Sequence, residues 1–207
     1  MAWDKLLDTL HKAYPRPQCA LIHNGPFQLL IATILSAQCT DERVNQVTAV
    51  LFKKFPTPEK LGAAPLPDVE QVIRSTGFFH QKAKSIVLSS RCLVEQHGGQ
   101  VPRDMEALLS LRGVARKTAN VVLGTGFGVA AGIVVDTHVK RLARRLGLTR
   151  QIDPVKVERD LMKKIPKKDW VWFSHALIHH GRTVCTALRP RCGSCPVGNL
   201  CPSAGTV

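Results

Sequence analysis

No run of roughly 18 consecutive apolar residues, the minimum for a helical membrane span, occurs in this sequence, and Met1-Ala2-Trp3-Asp4 lacks the basic start and apolar centre of a secretion signal. An intracellular protein is expected. Also missing are segments in which apolar and polar residues alternate as along a half-buried strand, and there is no long linker, low-complexity tract or clear internal repeat. That leaves helices. Acids are scarce too: Asp and Glu number 15 against 29 Lys and Arg, for a formal net charge of +14. Such an excess favours a polyanionic partner, although a basic surface can also serve solubility alone. The imbalance peaks in residues 136–207, with 14 basic and 5 acidic side chains, so that third is the expected electrostatic face.

At 207 residues the chain fits one large domain or two small ones and can bury roughly 70% of its extended surface, enough for a core without disulfides. Trp3, Leu6, Leu7 and Leu10 recur at helical spacing until Pro15. Pro26 precedes Phe27 to Leu35, too apolar for a surface helix and too short for a span, hence a buried central helix. The polar break Ser36-Ala37-Gln38-Cys39-Thr40-Asp41 is expected to expose Gln38, with Asp41 capping the next helix. Prolines 56, 58, 65 and 67 punctuate short pieces that end at Gly77. Phe78 and Phe79 are adjacent and cannot both face one core, so one is expected at the surface. An apolar stripe from Lys84 to Val94 and a short helix from Met105 to Leu111 follow. After Asp136, the positions Val139, Leu142, Ala143 and Leu146 are helical, with Lys140, Arg141, Arg144 and Arg145 crowding the other side. Asp153-Pro154 opens a helix reaching Ile165, and Trp170 to His180 forms the last, ahead of Gly181-Arg182. The fold class is all-α.

Two constellations carry chemistry. In Leu111-Arg112-Gly113-Val114-Ala115-Arg116-Lys117, a glycine-bearing turn feeds a helix whose first residues include a lysine. A nucleophilic lysine needs its pKa lowered by desolvation, a helix N-terminus or a neighbouring cation, and Arg116 is adjacent. Asp136 is a candidate electrostatic partner. Without further context Lys117 could equally bind a phosphate, and Asp136 could simply cap the helix starting at Thr137, a role compatible with catalysis. The second constellation is Cys185, Cys192, Cys195 and Cys201, spaced C-x6-C-x2-C-x5-C. Four thiolates in a short loop suit one tetrahedral zinc or one iron–sulfur cube, and spacing alone leaves the metal open. Cys19, Cys39 and Cys92 sit on or beside apolar helices and are expected as core thiols.

Leu35-Ser36-Ala37-Gln38, Gly77-Phe78-Phe79, Gly113-Val114 with Arg116-Lys117-Thr118-Ala119-Asn120, Val135-Asp136-Thr137-His138, His180-Gly181-Arg182 and the cysteine spacing together resemble endonuclease III, the helix-hairpin-helix DNA glycosylases with a [4Fe-4S] cluster. The likeness spans the whole chain in order. It implies two helical domains flanking a DNA-binding cleft: a six-helix domain over residues 20–130 carrying the hairpin, and a second joining residues 1–19 to 131–207 and ending in the cluster loop. It implies a monomeric bifunctional glycosylase and abasic-site lyase, cytoplasmic and nucleoid-associated if bacterial, acting on double-stranded DNA that contains oxidised pyrimidines or abasic sites. No membrane partner is expected.

Residue by residue, the resemblance makes Lys117 the nucleophile and Asp136 its catalytic carboxylate. It makes Cys185, Cys192, Cys195 and Cys201 the cluster ligands. Gln38 enters the gap left by a flipped nucleotide and Phe78 wedges into the stack, where ordinary core packing is the alternative for Phe78. His138 lines the lesion pocket or is a solvated or capping residue. Arg112, Gly113, Val114, Ala115 and Arg116 form the phosphate-binding hairpin, and Arg189 and Arg191 lie on the cysteine loop, facing phosphates. Here the usual Leu-Pro-Gly-Val-Gly reads Leu111-Arg112-Gly113-Val114-Ala115, which adds a Cβ and a charge and frees the turn from proline. One additional residue between Lys117 and Asp136 is assigned to the loop at Ala130-Ala131-Gly132. Relatives that excise adenine lack the lysine. A non-catalytic, metal-stapled DNA-binding module is the remaining reading, distinguished by binding without cutting.

Overall fold

Helix α1 (Ala2–Ala13) begins the regular structure in this computed structural model, which describes residues 2–206. The chain divides into two units, residues 19–131 and residues 2–18 with 132–206. Among the described residues all regular structure is helical, and no helix is long and apolar enough to cross a membrane.

The 19–131 unit is built round α2 (Gly25–Leu35), in which Leu29 through Leu35 are all buried. Pro26 is tolerated in its first turn, where backbone N–H groups have no intrahelical acceptor, and Thr33 hides its hydroxyl by donating to the Leu29 carbonyl at 2.7 Å. Next comes α3 (Asp41–Lys54). Its cap is Thr40 rather than the expected Asp41: the Thr40 hydroxyl accepts from Arg43 N at 3.3 Å, while Asp41 is already helical and adds its charge to the first turn. The prolines do delimit two short helices, α4 (Pro58–Gly62) and α5 (Leu66–Ile73). Gly62 lets α4 lie on α6 (Phe79–His97), since a Cβ there would sit 3.0 Å from Arg91 N. Asp104 caps α7 (Met105–Ser110), and α8 (Arg116–Val121) runs on into a π turn at Val122–Gly126 that no sequence signal announces.

The other unit packs α1 with α9 (Thr137–Arg145), α10 (Pro154–Lys164) and α11 (Trp170–Thr183). Leu6, Leu7 and Leu10 share a core with Val139, Leu142, Leu146, Phe173 and Leu177. Emptying a fully buried position such as Phe173 to Ala costs about 3–5 kcal/mol in a core of this kind. Trp172 fixes the end of α1 by donating from Nε1 to the Tyr14 carbonyl at 2.8 Å and stacking on His11. The sequence predicts a last helix that stops at His180, yet α11 continues through Gly181 to Thr183. The glycine marks a crossing, not an end: a Cβ at Gly181 would lie 2.9 Å from the His138 Cβ on α9.

Candidate functional site

The turn between α7 and α8 is pinned from within its own unit. Leu111 N donates to Leu108, Val114 N to Leu111, and the Ser89 hydroxyl to the Arg112 carbonyl at 2.6 Å, so the turn does not need the missing proline to be fixed. Gly113 has φ of +81°, and a Cβ on it would meet the Ser85 Cβ at 2.8 Å. Glycine is thus required by the packing of the turn on α6 before any phosphate is considered. Val114 differs from expectation, because its side chain is buried and its N–H is spent on Leu111. Ala115 caps α8 in ordinary extended conformation, so the second glycine of the usual motif is dispensable here. Arg112 and Ala115 are exposed and Arg116 is half-buried. Lys117, second in α8, is also exposed, so the helix N-terminus is present but burial by the protein is not.

Gln38 and Phe78 share an unusual backbone. Among the described residues they are the non-glycine residues with positive φ, at 52° and 48°. Conformations of this kind cost about 1–3 kcal/mol and persist only where the surroundings impose them. Both side chains are exposed, Phe78 by 69%, while Phe79 packs on the core, so the two adjacent aromatics part as expected. One buried side chain holds the second of these turns. Lys82 is only 6% exposed, and its Nζ donates to the carbonyl of Thr76, two residues before Phe78, at 2.7 Å. Burial pushes its pKa down, opposed by the electrostatic pull of Cys39, the neighbour of Gln38. The sequence does carry a signal for this lysine: Lys82, Ile86, Ser89 and Leu93 form one buried stripe of α6.

In the other unit, Asp136 caps α9, its Oδ1 accepting from Val139 N at 2.8 Å. His138 lies half-buried against Gly181, with its Nδ1 3.3 Å from Arg141 Nη2. Burial chiefly lowers its pKa; Arg141 and Arg182 add to this and Asp136 opposes it.

The four cysteines line a single cavity with Leu142, Leu146, Val184 and Val197, and no carboxylate borders it. Two arginines of α9 brace the loop. Arg141 Nη2 donates to the Gly181 and Cys185 carbonyls at 2.8 and 2.9 Å, and Arg145 donates to the Thr186 and Ala187 carbonyls and to Cys185 Sγ at 3.3 Å. His180 is 2% exposed between Tyr14 Oη, 2.6 Å from Nδ1, and Cys195 Sγ, 3.5 Å from Nε2; burial, then His179, lowers its pKa to about 4. Nothing in the sequence joins Tyr14 to a histidine 166 residues away. Arg189 and Arg191 are exposed on the same loop.

Residues 31–167 match the HhH-GPD superfamily of base excision DNA repair proteins, and residues 185–201 match the iron–sulfur binding domain of endonuclease III. Endonuclease III of Synechocystis sp. is 56% identical over 97% of this chain and 91% of its own length. The chain belongs to the endonuclease III family. A solved non-covalent endonuclease III–DNA complex superposes with a TM-score of 0.93 at 47% identity, covering 98% of this chain and 95% of that one. A trapped endonuclease III–DNA covalent intermediate does so with 0.91 at 46%, covering 97% and 94%.

Family membership settles the metal that spacing left open: the cofactor is a [4Fe-4S] cluster. The residues present fit it. Only sulfur is offered, and the Cys195 thiol is pushed up by burial and by its three partner cysteines, so four thiolates together require a cationic core.

Proposed function

We propose that this endonuclease III family member excises oxidised pyrimidines from duplex DNA and cleaves the strand at the resulting abasic site, with Lys117 as nucleophile and Asp136 as its carboxylate. The observation that carries the assignment is Lys117 itself: an exposed primary amine in the first turn of α8, directly after a turn that internal hydrogen bonds hold rigid. Because the protein leaves this amine in water, desolvation has to come with the DNA. The amine attacks the sugar's anomeric carbon and the base leaves with a proton. The carboxylate of Asp136 stabilises positive charge developing on the sugar or takes a proton from the amine, while one of its oxygens stays committed to Val139 N. The sugar ring then opens, its C1′–O4′ bond breaking as O4′ takes the proton given up by the nitrogen, to leave an imine; loss of a C2′ proton next breaks the C3′–O bond, and water releases the enzyme.

Gln38 fills the gap left by the extruded nucleotide and Phe78 props the stack, both presented by left-handed backbone, that of Phe78 following a turn anchored on Lys82. Arg112, Gly113, Ala115 and Arg116 grip a phosphate at the hairpin, His138 lines the lesion pocket, and Arg189 and Arg191 meet the backbone from the cysteine loop. Cys185, Cys192, Cys195 and Cys201 hold the cluster. With all four cysteines engaged, they would tie down the loop that carries those arginines. The setting for this work is the cytoplasm. Borohydride trapping on duplexes carrying an abasic site or thymine glycol tests the chemistry. Wild type forms a covalent adduct and Lys117→Ala does not; absence of the wild-type adduct refutes the lyase.

A further inference from the structure

An open groove of about 510 Å³ runs between α9, the turn at Thr149-Arg150 and Ser203. Five cations line it, Lys140, Arg141, Arg144, Arg145 and Arg150, and no carboxylate does. From residue 136 to residue 150 the chain carries these five and a single acid, Asp136, which caps α9. Asp160 approaches the groove's wall but is turned to the Thr149 hydroxyl, 2.5 Å away.

The five cations have different employment. Arg141 and Arg145 reach to the cysteine loop and are held by its carbonyls. Lys140, Arg144 and Arg150 have no ion pair among the described residues. Lys140 and Arg144 stand four residues apart on α9, where like charges repel, and Lys140 lies in the half of the helix whose dipole disfavours a cation. Arg144, in the last turn, gains something from the dipole; Lys140 gains nothing. Arg141 and Arg145 line the same groove, so its wall is already crowded with positive charge. Folding alone gives no reason to gather charge in this way. A polyanion does.

We propose that this groove grips the sugar–phosphate backbone of duplex DNA irrespective of damage, a second contact surface beyond the residues assigned to lesion handling. Duplex DNA is the occupant that fits. It supplies repeated single negative charges along a line, which an open channel of separate cations matches, and phosphate contacts need no base edges and so no damaged base. The ligand rests on the DNA-repair reading proposed for the chain; the charge arrangement does not.

The test uses the cluster-containing protein and an undamaged 30-bp duplex, comparing wild type with Lys140→Ser/Arg144→Ser/Arg150→Ser. Arg141 and Arg145 are left in place, so the loop keeps its braces, and the visible cluster absorbance of the variant verifies that it is intact. Every phosphate that the variant no longer neutralises lowers the slope of log Kd against log salt by about 0.9, so a fall of roughly 2–3 in slope and an affinity at least about tenfold weaker at low salt are expected. Single-turnover excision from a lesion duplex at saturating enzyme is expected to stay within about twofold of wild type. An unchanged slope overturns the proposal. So does a loss of excision at saturation, which would place the three residues at the lesion, or a loss of tripolyphosphate binding without any change in the duplex slope. A wild-type protein that cuts nothing would sink the proposed function and leave this measurement fully informative.

Discussion

Replacing Gly113 by Ala should uncouple two costs that the hairpin turn now avoids. At φ of +81° an alanine carries a left-handed strain of about 1–2 kcal/mol. Its Cβ would also stand 2.8 Å from the Ser85 Cβ, 3.0 Å from its Oγ and 3.5 Å from Ile34 Cγ2, an overpacking that costs about 1–3 kcal/mol. The sum, about 2–5 kcal/mol, is a large share of the roughly 5–15 kcal/mol by which a domain is stable, and corresponds to a fall of about 5–15 °C in Tm. Urea denaturation of four proteins separates the parts: wild type, Gly113→Ala, Ser85→Gly and the double variant. Ser85→Gly costs about 1 kcal/mol as a helix-interior glycine but removes the obstructing Cβ, so Gly113→Ala in that background should cost only the backbone strain. If Gly113→Ala costs the same in both backgrounds, contact with Ser85 is not why the turn needs glycine. If it costs under about 0.5 kcal/mol, neither the strain nor the overpacking is real.

Two further outcomes concern buried titratable groups. Lys82→Met keeps the aliphatic bulk but leaves the Thr76 carbonyl without its donor, for an expected loss of about 1–2 kcal/mol. In single-turnover assays it should slow excision of an intact lesion more than nicking at a preformed abasic site, which has no base to extrude; equal slowing of both would remove Lys82 from the support of Phe78. His175 has its pKa lowered by burial, so the unfolded chain takes up the proton more readily than the folded one. Its contribution to stability is complete above its ordinary value of 6.5 and is lost as pH falls below it. Thermal midpoints measured from pH 7.5 down to 5 should therefore drop less steeply for His175→Gln than for wild type, and identical slopes would contradict the assignment.

The sequence is most informative where a local pattern has one physical solution. An apolar run too short for a bilayer has to be a buried helix, and α2 is one. Two adjacent aromatics have to part, and Phe78 is exposed while Phe79 is not. A cap followed by proline has to open a helix, as Asp153 and Pro154 do. It is least informative where two readings share one local signal. Thr40 and Asp41 are both good caps, and only backbone geometry decides between them. Gly181 looks like a helix terminus because glycine commonly is one, but its purpose lies in His138, 43 positions earlier in the chain. The hydrogen bonds from Ser89 to Arg112 and from Tyr14 to His180 join residues whose separation leaves no periodic trace. The exposure of Lys117 belongs to the same class, since burial is a property of the neighbours and not of the motif.

Gln38 and Phe78 show why residue type alone stops short of a mechanism. Glycine or asparagine would hold either turn at less cost, and the turn before Phe78 already contains a glycine, Gly77 at φ of 69°. Keeping glutamine at one left-handed position and phenylalanine at the next therefore spends stability that packing does not return, because both side chains point into solvent. For Phe78 the support lies beneath in Lys82, a buried lysine bonded to the turn that precedes it. Side chains held out by strained backbone are what the proposed insertion of Gln38 and Phe78 into DNA needs. Flexible turns would let them fold back on the protein, and the free energy of holding them out would then fall due at the moment a base has to be extruded.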